Sequence, residues 1–172
     1  MLRKILSILG VYKVYERWLW HQVKNGAMPE HIGIILDGNR RWALNHDMDP
    51  WTGHYFGAKK TEEVLRWCLD LGVRSVTLFA FSTENFSRSR REVEELMKLF
   101  ESKFEEALKD NVIHKYKVRV KVIGRRHLLP RRLQDIIRKI EEATKNYSDH
   151  FLNVALAYGG RAEIIDAARE IA

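Results

Sequence analysis

Three short segments of the chain combine small or polar residues with arginine, and each comes at the end of a mainly apolar stretch. These segments are Asp37–Trp42, Ser82–Arg88 and Tyr158–Arg161. Backbone N–H groups in turns and the forked guanidinium group of arginine are donors that hold phosphate oxygens. Asp37 adds a carboxylate, and Mg²⁺ typically binds through one or two carboxylates together with substrate phosphates. The segments therefore predict a magnesium-assisted phosphate or diphosphate site.

A histidine adds a further donor, while the common nucleotide-binding signatures are absent. His54 lies in the run Gly53–Gly57, near the expected start of a helix. The sequence contains no Gly-x-x-x-x-Gly-Lys-[Ser/Thr], Gly-x-Gly-x-x-Gly or Gly-x-Ser-x-Gly motif. Cys68 is the single cysteine, expected to be packed and inert, which excludes a disulfide framework and a cysteine-built zinc site. The remaining histidines lack metal-ligand spacing and are interpreted as surface or core residues: His21, His31, His46, His114, His127 and His150.

The hydrophobic pattern predicts strands that would place these segments at one edge of a sheet. Continuous apolar runs predict strands at 32–36, 76–81 and 151–158, and strict alternation predicts another at 116–122 with one exposed face. Apolar residues at helical spacing follow each strand. This alternation predicts an α/β fold with a largely parallel sheet flanked by helices on both faces. In such sheets ligands bind beyond the carboxyl ends of the strands.

Composition and charge exclude several other classes of protein. The chain has 172 residues, of which 45% are hydrophobic and 31% charged, too apolar for a disordered protein. No uninterrupted apolar run reaches the roughly 18 residues that a membrane-spanning helix needs. The net charge is +7, but residues 1–25 hold five basic residues against Glu16. Because so much of the excess lies at one end, a nucleic-acid-binding body is disfavoured, and Arg125, Arg126, Arg131 and Arg132 are expected to be solvated.

Residues 1–27 are predicted to form an amphipathic helix preceding the α/β domain, residues 28–172. Two interpretations of this helix stay open. Its broad apolar face and basic opposite face are typical of a helix that lies in a membrane interface, which predicts peripheral membrane contact through residues 1–25. The same pattern also fits a helix that packs on its own domain. The segment does not have the pattern of a secretory signal, and the single cysteine fits a reducing, cytoplasmic setting.

Four segments closely resemble those of the cis-prenyltransferases, a family that includes undecaprenyl and dehydrodolichyl diphosphate synthases. The segments are His31–Ala43, Gly53–Gly57, Leu78–Arg88 and Ala157–Arg161, in the order in which the family has them. Arg40, where bacterial members usually have glycine, is more similar to the archaeal and eukaryotic, dolichol-type branch. The resemblance implies a homodimer with a hydrophobic chain-elongation tunnel. It also implies an enzyme that condenses isopentenyl diphosphate with an allylic prenyl diphosphate, with Mg²⁺ as cofactor, and releases diphosphate.

The resemblance further implies roles for individual residues. Asp37 would bind Mg²⁺ and help the allylic diphosphate to depart, and Trp42 would line the allylic site. The allylic diphosphate would be held by Gly38, Asn39, Arg40, Arg41 and His54. Asn85 is at the position in the family that is often proposed to accept the proton released during condensation. It would belong to a loop beside the isopentenyl group, formed by Ser82, Thr83, Glu84, Asn85, Phe86 and Arg88.

Two departures from the family pattern and two alternative functions remain. Pro50 stands where many members have an arginine, so one phosphate contact is missing. The family continues beyond Tyr158–Arg161 with the isopentenyl diphosphate clamp and a second Mg²⁺ carboxylate, so we expect this sequence to be a fragment of a longer protein. A non-catalytic partner subunit is disfavoured by the intact Asp37 and Asn85. A basic nucleic-acid-binding module is disfavoured by the charge distribution.

Overall fold

The computed structural model describes residues 11–171, and the chain divides into two compact units, residues 1–30 and 31–172. In the first unit, helix α1 (Val11–Lys24) occupies part of the predicted amino-terminal helix, whose residues 1–10 lie outside the described residues. Its side chains Val14, Tyr15 and Trp18 are exposed, and the Tyr15 and Trp18 rings stack at 5.8 Å. Within residues 11–171, none of the helices has the length and apolar character needed to cross a bilayer.

The second unit is built on a parallel sheet, as the sequence predicts. Its strands are β1 (His31–Ile35), β2 (Ser75–Ser82), β3 (Val118–Ile123) and β4 (His150–Tyr158). They lie in the order β1-β2-β4-β3, and every neighbouring pair is parallel. The flanking helices are α2 (Asn39–Leu44), α3 (Thr52–Asp70), α4 (Arg90–Lys109), α5 (Asn111–Lys115), α6 (Arg131–Thr144) and α7 (Gly160–Ile171).

The start of α3, the short helix α2 and the start of β3 differ from the sequence-based expectation. Helix α3 begins at Thr52, six residues before Ala58, where its regular apolar repeat starts, because Gly53 and Gly57 interrupt the helical pattern in its first turns. Helix α2 was not predicted, since it has six residues and Ala43 is its one buried residue. The predicted start of β3 at Tyr116 was wrong by two residues. The strand begins at Val118, because Lys117 adopts a positive φ of 46° in the turn before it. The exposed face of β3 is confirmed.

The main hydrophobic core lies between α4, α6 and the β3–β4 side of the sheet. Helix α6 runs beside β3, and its Thr144 hydroxyl and Glu141 carboxylate accept hydrogen bonds from the Val120 and Val122 N–H groups at 3.1 and 2.8 Å. These bonds satisfy backbone donors at the edge of the sheet, which would otherwise be open to pairing.

Of the four arginines expected to be solvated, Arg132 is 71% exposed although it pairs with two glutamates, whereas Arg125 and Arg126 are only partly exposed and are held in ion pairs. Arg125 donates to both carboxylate oxygens of Asp166 at 3.0 and 2.9 Å. Arg126 donates to Glu141 at 2.6 and 2.7 Å. The expectation was wrong because each acidic partner lies on a helix distant in sequence, so that no local pattern indicates the pairing.

Candidate functional site

The turn after β1 presents the Asp37 carboxylate to solvent. Gly38 has a φ of 84°, a left-handed conformation that glycine adopts without steric cost, and it caps the start of α2. Asp37 accepts a hydrogen bond from the Gly38 N–H through Oδ1 and from Arg41 Nη2 through Oδ2, the latter at 3.1 Å. Both side chains are about three-quarters exposed, at 77% for Asp37 and 76% for Arg41. The carboxylate therefore remains accessible to a ligand.

Two glycines of α3 allow this turn to lie directly against the helix. A Cβ on Gly53 would come within 2.0 Å of the Asn39 carbonyl oxygen. A Cβ on Gly57 would come within 2.3 Å of Asn39 Oδ1. The Gly-x-x-x-Gly spacing thus fixes Asn39 beside the first turns of α3, next to His54. Pro50, in the turn before α3, supplies no N–H donor.

An ion cluster around the buried Glu92 carboxylate joins α2, α3, α4 and the end of the loop after β2. His54 Nε2 lies 3.1 Å and Arg88 Nη1 3.0 Å from Glu92 Oε1, and Arg40 Nε is 3.5 Å from the same oxygen. Burial lowers the pKa of His54 from its ordinary value of 6.5, although the hydrogen bond and the charge of Glu92 oppose that shift. Burial therefore favours the neutral form of the His54 imidazole.

The loop after β2 forms a short 3₁₀ helix, Thr83–Ser87, with Ser82 as its cap. The Asn85 side chain closes the cap, because Asn85 Oδ1 accepts the Ser82 N–H at 3.0 Å. Since that N–H is a donor, the amide oxygen must face it, and the amide nitrogen of Asn85 is left as a donor. The Phe86 ring packs edge-on against Phe81, with centroids 4.8 Å apart.

The segment after β4 lies beside this loop. A Cβ on Gly159 would come within 2.8 Å of Thr83 Oγ1, so a larger residue here would displace the Thr83 side chain. Two residues before Gly159, Ala157 adopts a φ of 49°, at the point where the pairing register of β2 and β4 shifts. The second and third arginine-containing segments therefore meet, as their strand-end positions predict.

The Asp37 turn, the first turns of α3 and the loop after β2 surround the mouth of a cavity of about 780 Å³. The interior is mainly apolar and extends between α3, α4 and the sheet, with walls that include Leu65, Cys68, Leu78, Leu96 and Phe100. Burial also raises the pKa of the Cys68 thiol, in accord with the expectation of a packed, inert cysteine. The polar predicted residues in the wall are Asp37, Asn39, His54, Ser82, Asn85 and Arg88.

Other predicted site residues lie around the mouth without lining the cavity. Arg40 and Arg41 contact Glu92 and Asp37, respectively. Trp42 is partly exposed and packs against His46 and Phe56, with centroid distances of 4.2 and 4.7 Å. Gly38, Thr83, Glu84 and Phe86 complete the two turns.

Glu92 is the residue of this region that sequence reasoning missed. Its spacing from Ser89 indicates a capping box, and the Ser89 hydroxyl does accept the Glu92 N–H at 3.3 Å. The Glu92 side chain, however, points toward His54, Arg88 and Arg40. The available signal was its position four residues after Arg88, a spacing at which opposite charges meet on a helix.

Asp37 is an exposed carboxylate that lines the cavity at its mouth. The described residues, 11–171, contain no group of three or more His, Cys, Asp or Glu side chains that would hold a metal without help. One exposed carboxylate beside a set of phosphate donors fits the way in which Mg²⁺ binds jointly with substrate phosphates.

Comparisons with known proteins find relatives over most of the chain. Residues 35–172 match the family model described as "Putative undecaprenyl diphosphate synthase". The chain is 56% identical over 161 residues to a tritrans,polycis-undecaprenyl-diphosphate synthase (geranylgeranyl-diphosphate specific) of Pyrococcus horikoshii, covering 94% of this chain and 61% of that protein. The protein of the same name from Methanopyrus kandleri is 55% identical over 167 residues, covering 97% and 62%.

A solved structure shows the same fold. Lavandulyl diphosphate synthase from Lavandula x intermedia, in complex with dimethylallyl diphosphate, aligns with a TM-score of 0.79 and 33% identity, covering 87% of this chain and 62% of that chain. The present chain thus spans about three-fifths of the length of the relatives that it matches. On the extent and identity of these matches, it belongs to the undecaprenyl diphosphate synthase family of prenyltransferases.

Proposed function

We propose that the complete protein is a cis-prenyltransferase that condenses isopentenyl diphosphate with an allylic prenyl diphosphate and releases diphosphate. The product would be a cis-polyprenyl diphosphate, the precursor of an undecaprenyl- or dolichol-type carrier lipid. The observation that carries this proposal is the cavity, which combines a polar, donor-rich mouth with an apolar interior. A prenyl diphosphate has the same two parts, an anionic head and a hydrocarbon tail.

The donors around the Asp37 turn suit the departing diphosphate. We assign the allylic diphosphate to Gly38, Asn39, Arg40, Arg41 and His54, with Trp42 beside the allylic group. Negative charge grows on the diphosphate oxygens as the bond to the allylic carbon breaks, so donors fixed in advance stabilise the transition state more than the ground state. Removing one such donor typically costs about 3 to 4 kcal/mol of transition-state stabilisation.

Asp37 would hold Mg²⁺ jointly with the substrate phosphates. When bound, the ion would supply positive charge to the leaving diphosphate. Arg41 holds the Asp37 carboxylate through Oδ2, and its remaining N–H groups would be available to the diphosphate. Both side chains face solvent, so they are accessible to the substrate.

The loop after β2 would hold the isopentenyl group. We assign this role to Ser82, Thr83, Glu84, Asn85, Phe86 and Arg88. The proton-acceptor role that the family resemblance implies for Asn85 stays a prediction. The bond from the Ser82 N–H to its Oδ1 supports a further role, in which the amide is fixed and donates through its nitrogen. The amide nitrogen would donate to a diphosphate oxygen and so orient the isopentenyl group. Arg88, which lines the cavity, would add a guanidinium donor.

The apolar cavity would take up the growing chain. Each CH₂ removed from water contributes roughly 0.8 kcal/mol, so a lengthening product is drawn into an apolar enclosure. The cavity extends from the mouth at Asp37 past Leu65 and Leu96 as far as Val118 and His150, at the amino ends of β3 and β4.

We further propose that the protein is a cytoplasmic homodimer whose amino-terminal helix, residues 1–27, is distinct from the catalytic domain of residues 28–172. In helix α1 the exposed aromatic residues and the cations Lys13, Arg17 and Lys24 support peripheral contact with anionic lipid. Deleting residues 1–25 should reduce binding to vesicles that contain phosphatidylglycerol. Unchanged binding would reject the membrane contact and leave the enzymatic proposal intact.

The enzymatic proposal is tested by incubating the complete protein with labelled isopentenyl diphosphate, Mg²⁺ and allylic starters of different length. Wild type should form labelled polyprenyl product, and Asp37→Ala almost none. Asp70→Ala, an exposed acidic residue at the end of α3, serves as the matched control and should be as active as wild type. Equal activity in Asp37→Ala and wild type would remove Asp37 from its assigned role.

A further inference from the structure

The Glu92 carboxylate is buried among positively charged and hydrogen-bonding partners, yet it does not itself line the cavity. Its side chain is 4% exposed. A single oxygen, Oε1, lies within 3.1 Å of His54 Nε2, 3.0 Å of Arg88 Nη1 and 3.5 Å of Arg40 Nε. A buried carboxylate is costly unless donors surround it, and here three converge on one atom.

The three partners come from three separate parts of the chain. Arg40 belongs to α2, His54 to the first turns of α3, and Arg88 to the end of the loop after β2. These are the elements that surround the mouth of the cavity. Glu92, in the first turn of α4, therefore contacts a side chain from each of these elements.

The ties of the two arginines leave N–H donors free for a ligand, whereas His54, whose Nε2–H donates to Glu92, has a second donor only when it is protonated. An arginine has five N–H groups, and Arg88 uses Nη1 on Glu92, which leaves others for the cavity that Arg88 lines. The bond from His54 Nε2 fixes the plane of an imidazole that also lines the cavity. Glu92 thus acts on the cavity only through its partners.

We propose that Glu92 is a positioning residue that holds the donors of both diphosphate subsites in one arrangement. It orients Arg40 and His54 on the allylic side and Arg88 on the isopentenyl side. This inference rests on the proposed function, because it takes the anion at the mouth to be a diphosphate. The effect of removing the Glu92 charge on diphosphate affinity distinguishes this role from simple electrostatics. Loss of a nearby negative charge alone would strengthen anion binding, whereas loss of donor positioning weakens it.

The test is titration of inorganic pyrophosphate, with Mg²⁺, into the complete protein by calorimetry. Glu92→Gln, which keeps the size of the side chain, should weaken binding by about tenfold or more. Glu94→Gln is the matched control, an exposed glutamate on the same helix that pairs with Arg90, and should bind as wild type does. Pyrophosphate binding by Glu92→Gln that equals or exceeds that of wild type would overturn the positioning role. Failure of wild type to bind pyrophosphate would instead overturn the diphosphate site itself.

A second measurement separates positioning from loss of folding. The His54 ring faces Glu92, Arg88 and Arg40, and of these Glu92 alone raises its pKa. The NMR titration midpoint of His54 should therefore fall in Glu92→Gln, measured below the unfolding temperature of both proteins. In a protein that already carries Arg88→Gln, adding Glu92→Gln should weaken pyrophosphate binding less than it does in wild type, because the effects of two residues that act together are not additive. An unchanged His54 midpoint, or fully additive effects, would contradict the inference.

Discussion

Asn39 lies against the backbone of α3 so closely that a Cβ on Gly57 would come within 2.3 Å of Asn39 Oδ1. The turn that carries Asp37 and the helix that carries His54 are thereby held in one arrangement. Gly53 has the same effect on the Asn39 backbone, since its Cβ would come within 2.0 Å of the Asn39 carbonyl oxygen. The Gly-His-x-x-Gly segment thus serves close packing as much as it supplies an imidazole.

Replacing Gly57 with alanine should displace the Asn39 side chain and weaken the binding of an allylic substrate by about tenfold. Alanine is favoured over glycine in a helix by about 1 kcal/mol, so the thermal stability of the protein should fall little. Gly33→Ala in β1 is the control, because a Cβ there meets no atom within 4 Å. Calorimetric titration with a non-reactive allylic analogue measures the effect, and unchanged affinity in Gly57→Ala would show that Asn39 is not part of the site.

Asn85→Asp separates the capping role of Asn85 from its role toward substrate. A carboxylate oxygen can still accept the Ser82 N–H, so the variant should unfold at nearly the wild-type temperature. It lacks the amide N–H donors and adds a negative charge, so the KM for isopentenyl diphosphate should rise at least about tenfold. Asn85→Ala, by contrast, should lose about 1 kcal/mol of stability as well as activity. A normal KM in Asn85→Asp would exclude the amide as a diphosphate donor.

The lowered pKa of His54 makes stability depend on pH. In the unfolded chain the imidazole takes up a proton near pH 6.5, whereas burial disfavours the protonated form in the folded protein. The unfolded chain therefore binds a proton at a higher pH than the folded protein does. As the pH falls from about 7.5 through 6.5 toward the folded-state pKa, this difference reduces the free energy of unfolding, and the stability that the buried His54 contributes is lost. Urea unfolding of wild type and His54→Gln measures this, and the difference between them should shrink as the pH falls. A difference independent of pH would contradict the burial of a neutral imidazole.

A larger side chain on the cavity wall should shorten the product. Leu69 lines the cavity about 22 Å along α3 from His54, at a rise of about 1.5 Å per residue. Leu69→Trp should leave the first condensation unchanged and reduce the mean chain length of the product. Asp70→Trp, on the exposed side of the same turn, should give wild-type products. Chromatography of labelled polyprenols compares them, and identical product lengths would place the growing chain outside this cavity.

The parallel sheet and the position of the site were predictable because they depend on local patterns. Apolar runs identify β1, β2 and β4, and parallel strands necessarily bring the residues that follow them, such as Asp37 and Ser82, to one edge of the sheet. The ion pairs were less predictable, because Arg125 and Asp166 are far apart in sequence and no periodicity relates them. Glu92 was missed for a different reason, since a local capping role already accounted for its presence. The cavity volume depends on the spacing between α3 and α4, which side-chain packing alone determines.

The most direct test of the central claim is a crystal structure of the complete protein with Mg²⁺ and a non-hydrolysable allylic thiodiphosphate. The account predicts the diphosphate against the Gly38–Arg41 turn and His54, the metal on Asp37, and the hydrocarbon tail between α3 and α4. A diphosphate bound away from the Asp37 turn, or a tail lying outside the cavity, would contradict it.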